Sequence, residues 1–131
     1  MMTFDEFATE AELTFTCEKQ GSNPNMTDMP QGSTHWLCTL SRSDKSMAVP
    51  FSMGPAHTSP PTLSGVLECL RMDSSATDTD SFEEWADDLG YDSDSRKAER
   101  IYNTCVQQGA ELKALLGEGL FGLFLSEVEE D

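Results

Sequence analysis

Hydrophobic positions along the chain change their period several times, and each change marks an element. Near the start, Glu6 follows Thr3 by three residues, with Phe4 and Phe7 behind the threonine. That is a capping-box pattern, and it predicts a short helix. The period then drops to two. Leu13, Phe15 and Cys17 alternate with Glu12, Thr14, Thr16 and Glu18, the pattern of a half-buried strand. Gly21–Ser33 holds Asn23-Pro24-Asn25, Pro30 and Gly32 and reads as a long irregular loop. A second strand puts Trp36, Cys38 and Leu40 on one face. Ser41–Ser46 is a polar turn with Arg42, Asp44 and Lys45. Met47–Met53 is a third strand, alternating at Val49, Phe51 and Met53. Pro50 lies inside it, so an edge position or a bulge is expected there. The three strands form an antiparallel meander.

Beyond a Pro-rich loop, Gly54–Pro61, the spacing turns helical. Thr62 caps a helix carrying Leu63, Val66, Leu67 and Leu70, and Asp73–Thr79 is a polar connection. Asp80 with Glu83 is a second cap pair, opening a short helix through Phe82, Trp85, Ala86 and Leu89. Gly90 ends it. Asp94 caps the longest helix, about Ser95–Leu116. Its apolar stripe is Ala98, Ile101, Tyr102, Cys105, Leu112, Leu115 and Leu116; Gly109 interrupts it and Gly117 stops it. Gly119–Leu125 adds a final turn or two. The expected class is α+β: a small antiparallel sheet of about three strands with three to five helices, in a single acidic domain spanning 1–131. The acidic tail, 126–131, is expected to fray.

Charge changes the picture. The 131 residues hold 24 acids and 8 bases, a net charge of −16. Such a body repels phosphates, so direct nucleic-acid binding over a broad surface is disfavoured and a basic partner is favoured. The longest apolar stretch, Leu120–Leu125, is too short to span a membrane. The acidic N-terminal residues Asp5, Glu6 and Glu10 do not resemble a signal peptide. The acids are unevenly spread. Residues 1–66 carry a net −4 and residues 67–131 a net −12. Met72–Ser95 contains Asp73, Asp78, Asp80, Glu83, Glu84, Asp87, Asp88, Asp92 and Asp94, and no base.

Candidate chemistry is sparse. His35-x-x-Cys38 could begin a zinc site, but no second pair completes it, and on a strand the two residues face opposite sides. Cys17, Cys38, Cys69 and Cys105 read as buried reduced thiols, with zinc or a disulfide as the alternatives. Asp73 to Glu84 has the length of an EF-hand loop, yet Ser75, Thr77 and Asp78 occupy positions that need ligands or glycine. No nucleophile signature and no Gly-rich phosphate loop is present. The chain therefore reads as a non-enzyme with no cofactor and no metal.

The acidic run offers more. On the helix through Phe82–Leu89, Glu83/Asp87 and Glu84/Asp88 are i,i+4 pairs, each placing like charges about 5–6 Å apart. Like pairs cost a helix a few tenths of a kcal/mol each, a cost that a lysine would remove. That spacing is comparable to successive phosphates on a nucleic-acid strand. A face built this way suits a basic groove, and it also suits a plain solvated surface.

Several stretches resemble a family of small proteins encoded by bacteriophages and prophages. They are Ser81-Phe82-Glu83-Glu84-Trp85, the run from Leu89-Gly90-Tyr91 to Arg96-Lys97-Ala98, and Leu115-Leu116-Gly117. The N-terminal half adds Leu13–Cys17, Asn23-Pro24-Asn25-Met26, His35-Trp36 and Phe51-Ser52-Met53-Gly54-Pro55 before Pro61-Thr62. The resemblance carries no activity and no catalytic residues. It implies a phage context, in which small acidic proteins often inhibit host defence, anti-CRISPR and anti-restriction proteins among them. The link to that group is an analogy of context and charge.

The expectation is an inhibitor of a host nucleic-acid-binding complex, foremost a Cas effector, acting in the cytoplasm of the infected bacterium. It would contact a basic surface of a protein or ribonucleoprotein, with no direct nucleic acid and no membrane. The contact residues expected are Asp78, Asp80, Glu83, Glu84, Asp87, Asp88, Asp92 and Asp94. One rival is an accessory protein using an ordinary interface or a homodimer, with Trp85, Tyr91, Phe121 and Phe124 as exposed anchors. Against it, Trp36, Trp85 and Phe15 fit a core better than a contact. The other rival is an enzyme using His35 or His57.

Overall fold

A computed structural model describes residues 2–22, 30–57, 59–74, 82–89 and 96–128, without the side chains of Asp88, Leu89 and Lys97. The expected α+β class is observed. Helix α1 (Phe4–Glu10) precedes strands β1 (Thr14–Gln20), β2 (Thr34–Arg42) and β3 (Lys45–Met53). Helices α2 (Leu63–Ser74), α3 (Phe82–Leu89), α4 (Arg96–Leu116) and α5 (Glu118–Glu127) follow.

Local chemistry sets the boundaries. The Thr3 hydroxyl accepts from the Glu6 N–H, and the Glu6 carboxylate accepts from the Thr3 N–H, closing the capping box that opens α1. At the other end of α1, Glu12 N–H donates to the Thr9 carbonyl and Leu13 N–H to that of Ala8. This is a Schellman cap, and Glu12 takes the left-handed position at φ 55° where glycine is usual. Thr62 caps α2 by accepting from the Gly65 N–H.

The sheet is an antiparallel meander in the order β1-β2-β3. Its register is continuous from Arg42↔Lys45 to Thr34↔Met53, so the expected polar turn shortens to two residues, Ser43 and Asp44. Ser43 carries the positive φ of 55° at the first loop position. Pro50 is accommodated because β3 is an edge strand; the unbroken pairing leaves no bulge. One face of the sheet is buried through Cys38, Leu40, Met47 and Val49. The alternate residues of β1, Thr14, Thr16, Glu18 and Gln20, are exposed.

The main core fills the space between that sheet face and α1, α2, α5 and the C-terminal half of α4. Phe7, Val66, Leu67, Leu70, Leu112 and Phe124 are among its fully buried members, with Cys38 and Leu40 from the sheet. Phe124 lies between two rings of α1, 5.0 Å from Phe7 and 6.2 Å from Phe4. The ends of the fold are tied together: Met2 N–H donates to the Glu127 carbonyl, and Arg71 donates to the Leu125 carbonyl.

Three expectations need correction. Phe121 and Phe124 are core residues, not exposed anchors, because α5 packs its aromatic side against α1. Helix α2 runs on through Asp73 and Ser74, because that last turn packs on α4. Cys69 is exposed, since it turns away from the face that Val66, Leu67 and Leu70 bury, while Cys17 and Cys105 are half-buried and Cys38 is buried. The expected caps at Asp80 and Asp94, the glycine stop at Gly90 and residues 23–29 of the first loop lie outside the described residues. So does most of the Asp73–Glu84 segment.

Candidate functional site

Helix α3 is seated by a small apolar cluster of its own. Trp85 and Ala86 are buried against α4, and Phe82, Ile101, Tyr102, Cys105 and Val106 close around them. Three rings form its centre. The Trp85 ring lies 5.2 Å from Tyr102 at 60°, and Phe82 lies 5.4 Å from Tyr102 and 6.2 Å from Trp85. Stacked and tilted ring pairs of this kind each contribute roughly 0.5–1.5 kcal/mol beyond their buried area. Of the two places expected for Trp85, the structure shows the core one: it anchors α3 inward rather than a partner outward.

That anchoring fixes the roll of the helix. Positions 82, 85 and 86 form the i, i+3, i+4 stripe against α4. The remaining faces point away, and Glu83, Glu84 and Asp87 are all exposed. The structure thus brings three of the eight expected contact residues together on one solvent-facing surface. Asp88 belongs to α3 by its backbone, and its side chain lies outside the described residues, as do Asp78, Asp80, Asp92 and Asp94. Tyr91, the remaining aromatic anchor proposed from the sequence, lies outside them as well.

Beneath α3, the last turn of α2 meets α4 through polar groups. The Cys105 thiol donates to Asp73 Oδ1 at 3.5 Å. Burial raises the Asp73 carboxyl above its ordinary value of 3.8, and the Cys105 hydrogen bond only partly offsets this. Burial, followed by the neighbouring Asp73 charge, pushes the Cys105 thiol up to about 12, so it stays a protonated donor. A carboxyl whose folded pKa is raised binds its proton more tightly in the folded state. Its contribution to stability is complete below pH 3.8 and is lost as pH rises through the raised value. Asp73→Asn, which keeps an acceptor for Cys105, should therefore raise Tm at pH 7. Below pH 3.8 the variant and the parent should melt together in a pH series of thermal unfolding.

A feature of opposite sign sits at the start of α4. Arg96, Glu99, Arg100 and Asn103 line a shallow depression, with both guanidiniums exposed. The sequence signal for it is that Arg96, Lys97 and Arg100 gather three of the chain's eight bases within five residues.

The histidines lie elsewhere. On the outer face of the sheet, His35 Nδ1 is 2.8 Å from Ser52 Oγ, across the register pair of β2 and β3. His57 is exposed; its N–H donates to the Gly54 carbonyl, and its own carbonyl accepts from the Thr34 hydroxyl. His35 and Cys38 face opposite sides of the sheet, as strand geometry requires. Among the described residues no group of three or more His, Cys, Asp or Glu is arranged to hold a metal ion. Among them, too, no helix is long and apolar enough to cross a membrane. Compared with protein families, with curated proteins and with solved structures, the chain matches none.

Proposed function

We propose that this chain is a phage-encoded inhibitor of a host nucleic-acid-binding defence complex, an anti-CRISPR protein acting in the cytoplasm of the infected bacterium. Its acidic surface occupies a basic nucleic-acid channel of a Cas effector and excludes DNA or guide RNA. The inhibition is stoichiometric, without turnover, and the chain itself contacts neither nucleic acid nor membrane.

One observation carries this reading. A docked helix turns Glu83, Glu84 and Asp87 to solvent in the middle of a segment, 72–95, that holds nine acids and no base. On a merely solvated helix a lysine at an exposed position would relieve like-charge repulsion, and Glu83 and Asp87 are both exposed. Keeping all of them acidic favours a surface read by cations. Association driven by such a field is fast and weakens as salt rises. The rival interface reading lost three of its anchors, since Trp85, Phe121 and Phe124 are all buried.

The test is an affinity pull-down of the tagged chain from lysate of a CRISPR-bearing host, with bound proteins identified by mass spectrometry. Recovery of Cas subunits that elute at moderate salt is expected. Recovery of phage proteins alone, or of nothing, would move the reading to an accessory protein.

A further inference from the structure

Two of the four thiols face one another across the sheet. Cys17 of β1 and Cys38 of β2 are direct register partners, so their side chains point to the same, core-facing side. The hydrogen-bond phase of that pair follows from the hairpin. The two-residue loop Ser43-Asp44 is closed by a hydrogen-bonded pair, Arg42 with Lys45. Hydrogen-bonded pairs recur at every second residue, which brings Cys38 into a hydrogen-bonded pair with Val49 of β3. The backbone groups of Cys38 are therefore turned away from β1, and Cys17↔Cys38 is a non-hydrogen-bonded pair. Such pairs bring Cα atoms to about 4.5 Å, inside the 4.4–6.8 Å range that a disulfide spans. Both thiols are free here.

Access to the two differs. Cys38 is wholly buried, whereas Cys17 is half-buried on an edge strand. Burial, with Cys17 as neighbour, raises the Cys38 thiol to about 11, so Cys38 is a poor first nucleophile. Reagents reach the pair through Cys17.

We propose that Cys17 and Cys38 are a redox-modification site that a small disulfide such as oxidised glutathione closes into a cross-strand disulfide. The Cys17 thiolate attacks one sulfur of oxidised glutathione, forming a mixed disulfide and releasing one glutathione thiolate. Cys38 then loses its proton and attacks the Cys17 sulfur, and the second glutathione leaves. The protein gives up two electrons and two protons, and one oxidised glutathione becomes two reduced ones. The product staples β1 to β2 and closes the segment 17–38 into a loop, which constrains the unfolded chain. The reading does not depend on the proposed inhibitor function.

The test treats the reduced, full-length chain with oxidised glutathione and reads the intact mass, the disulfide-linked peptides and Tm. The expected product has lost two hydrogens, retains no glutathione on Cys17 or Cys38, and yields a peptide joining those two residues. Its Tm rises by roughly 5–10 °C. Cys17→Ser should form no internal disulfide, and Cys38→Ser should stop with one glutathione on Cys17. Several outcomes would overturn the proposal. They are glutathione held only on Cys69 with Cys17 and Cys38 still reduced, a disulfide joining another pair, or a 17–38 disulfide that lowers Tm. The mass and peptide readouts of the parent chain stand even if a variant fails to fold.

Discussion

Converting Glu83, Glu84, Asp87 and Asp88 together to lysine is expected to abolish inhibition while leaving the fold in place. Each reversal moves the net charge by +2, so the chain goes from −16 to −8. Three of the four changes, at Glu83, Glu84 and Asp87, fall at exposed positions of α3 outside the stripe of Trp85 and Ala86. Lysines in the first turn oppose the helix dipole, at about 0.3–1 kcal/mol each, and lysines near the last turn complement it by a similar amount. The two contributions nearly cancel, so thermal unfolding should move by only a few degrees. A basic channel, by contrast, would meet repulsion where it met attraction. The control is reversal of Glu10 and Glu111, exposed acids on α1 and α4, which should leave inhibition unchanged. Full inhibition by the quadruple variant would sink the mimicry account.

Trp85→Ala should remove inhibition by a different route, with no change in charge. Trp85 is the largest buried residue of the cluster that seats α3. Truncating a buried tryptophan typically costs 3–5 kcal/mol, through lost transfer energy and the cavity left behind. Eight residues with two like-charge pairs cannot hold a helix alone, because isolated helices below about 12–15 residues are marginal in water. Loss of the indole should therefore release α3 from α4, while the main core keeps its packing around Phe7 and Phe124. Hydrogen exchange should report this as fast exchange at the amides of 85–89 with unchanged protection in β2 and α5. Inhibition at the parent level by this variant would mean that display on a docked helix is not needed.

Much of the fold was legible because its elements carry local chemistry. The capping box at Thr3 and Glu6, the alternation through β1–β3 and the Thr62 cap each state their own geometry. The roll of α3 was legible too, since Phe82, Trp85 and Ala86 leave only one face for the acids. What failed was the distinction between apolar and exposed. Helix α5 is apolar nearly all round, so no periodicity told which of Leu120, Phe121, Leu123 and Phe124 face the core. Only the packing against Phe4 and Phe7 selects the two aromatics. Asp73 and Ser74 misled in the opposite sense. Their polarity suggested a connection, yet they complete α2 and are covered by α4. The pairing of Cys17 with Cys38 could not be read from spacing at all, because it depends on the register across a long loop. The candidate site was legible as charge, whereas the aromatic seat that presents it was read only as ordinary core.

The measurement that tests the central claim most directly is a titration of the chain into the recovered Cas effector, following DNA binding at several salt concentrations. Occlusion predicts that inhibition saturates at one chain per effector and that the apparent affinity falls steeply as salt rises. Inhibition far below one equivalent would indicate turnover and point to His35 with Ser52. Inhibition indifferent to salt would contradict a charge-led contact.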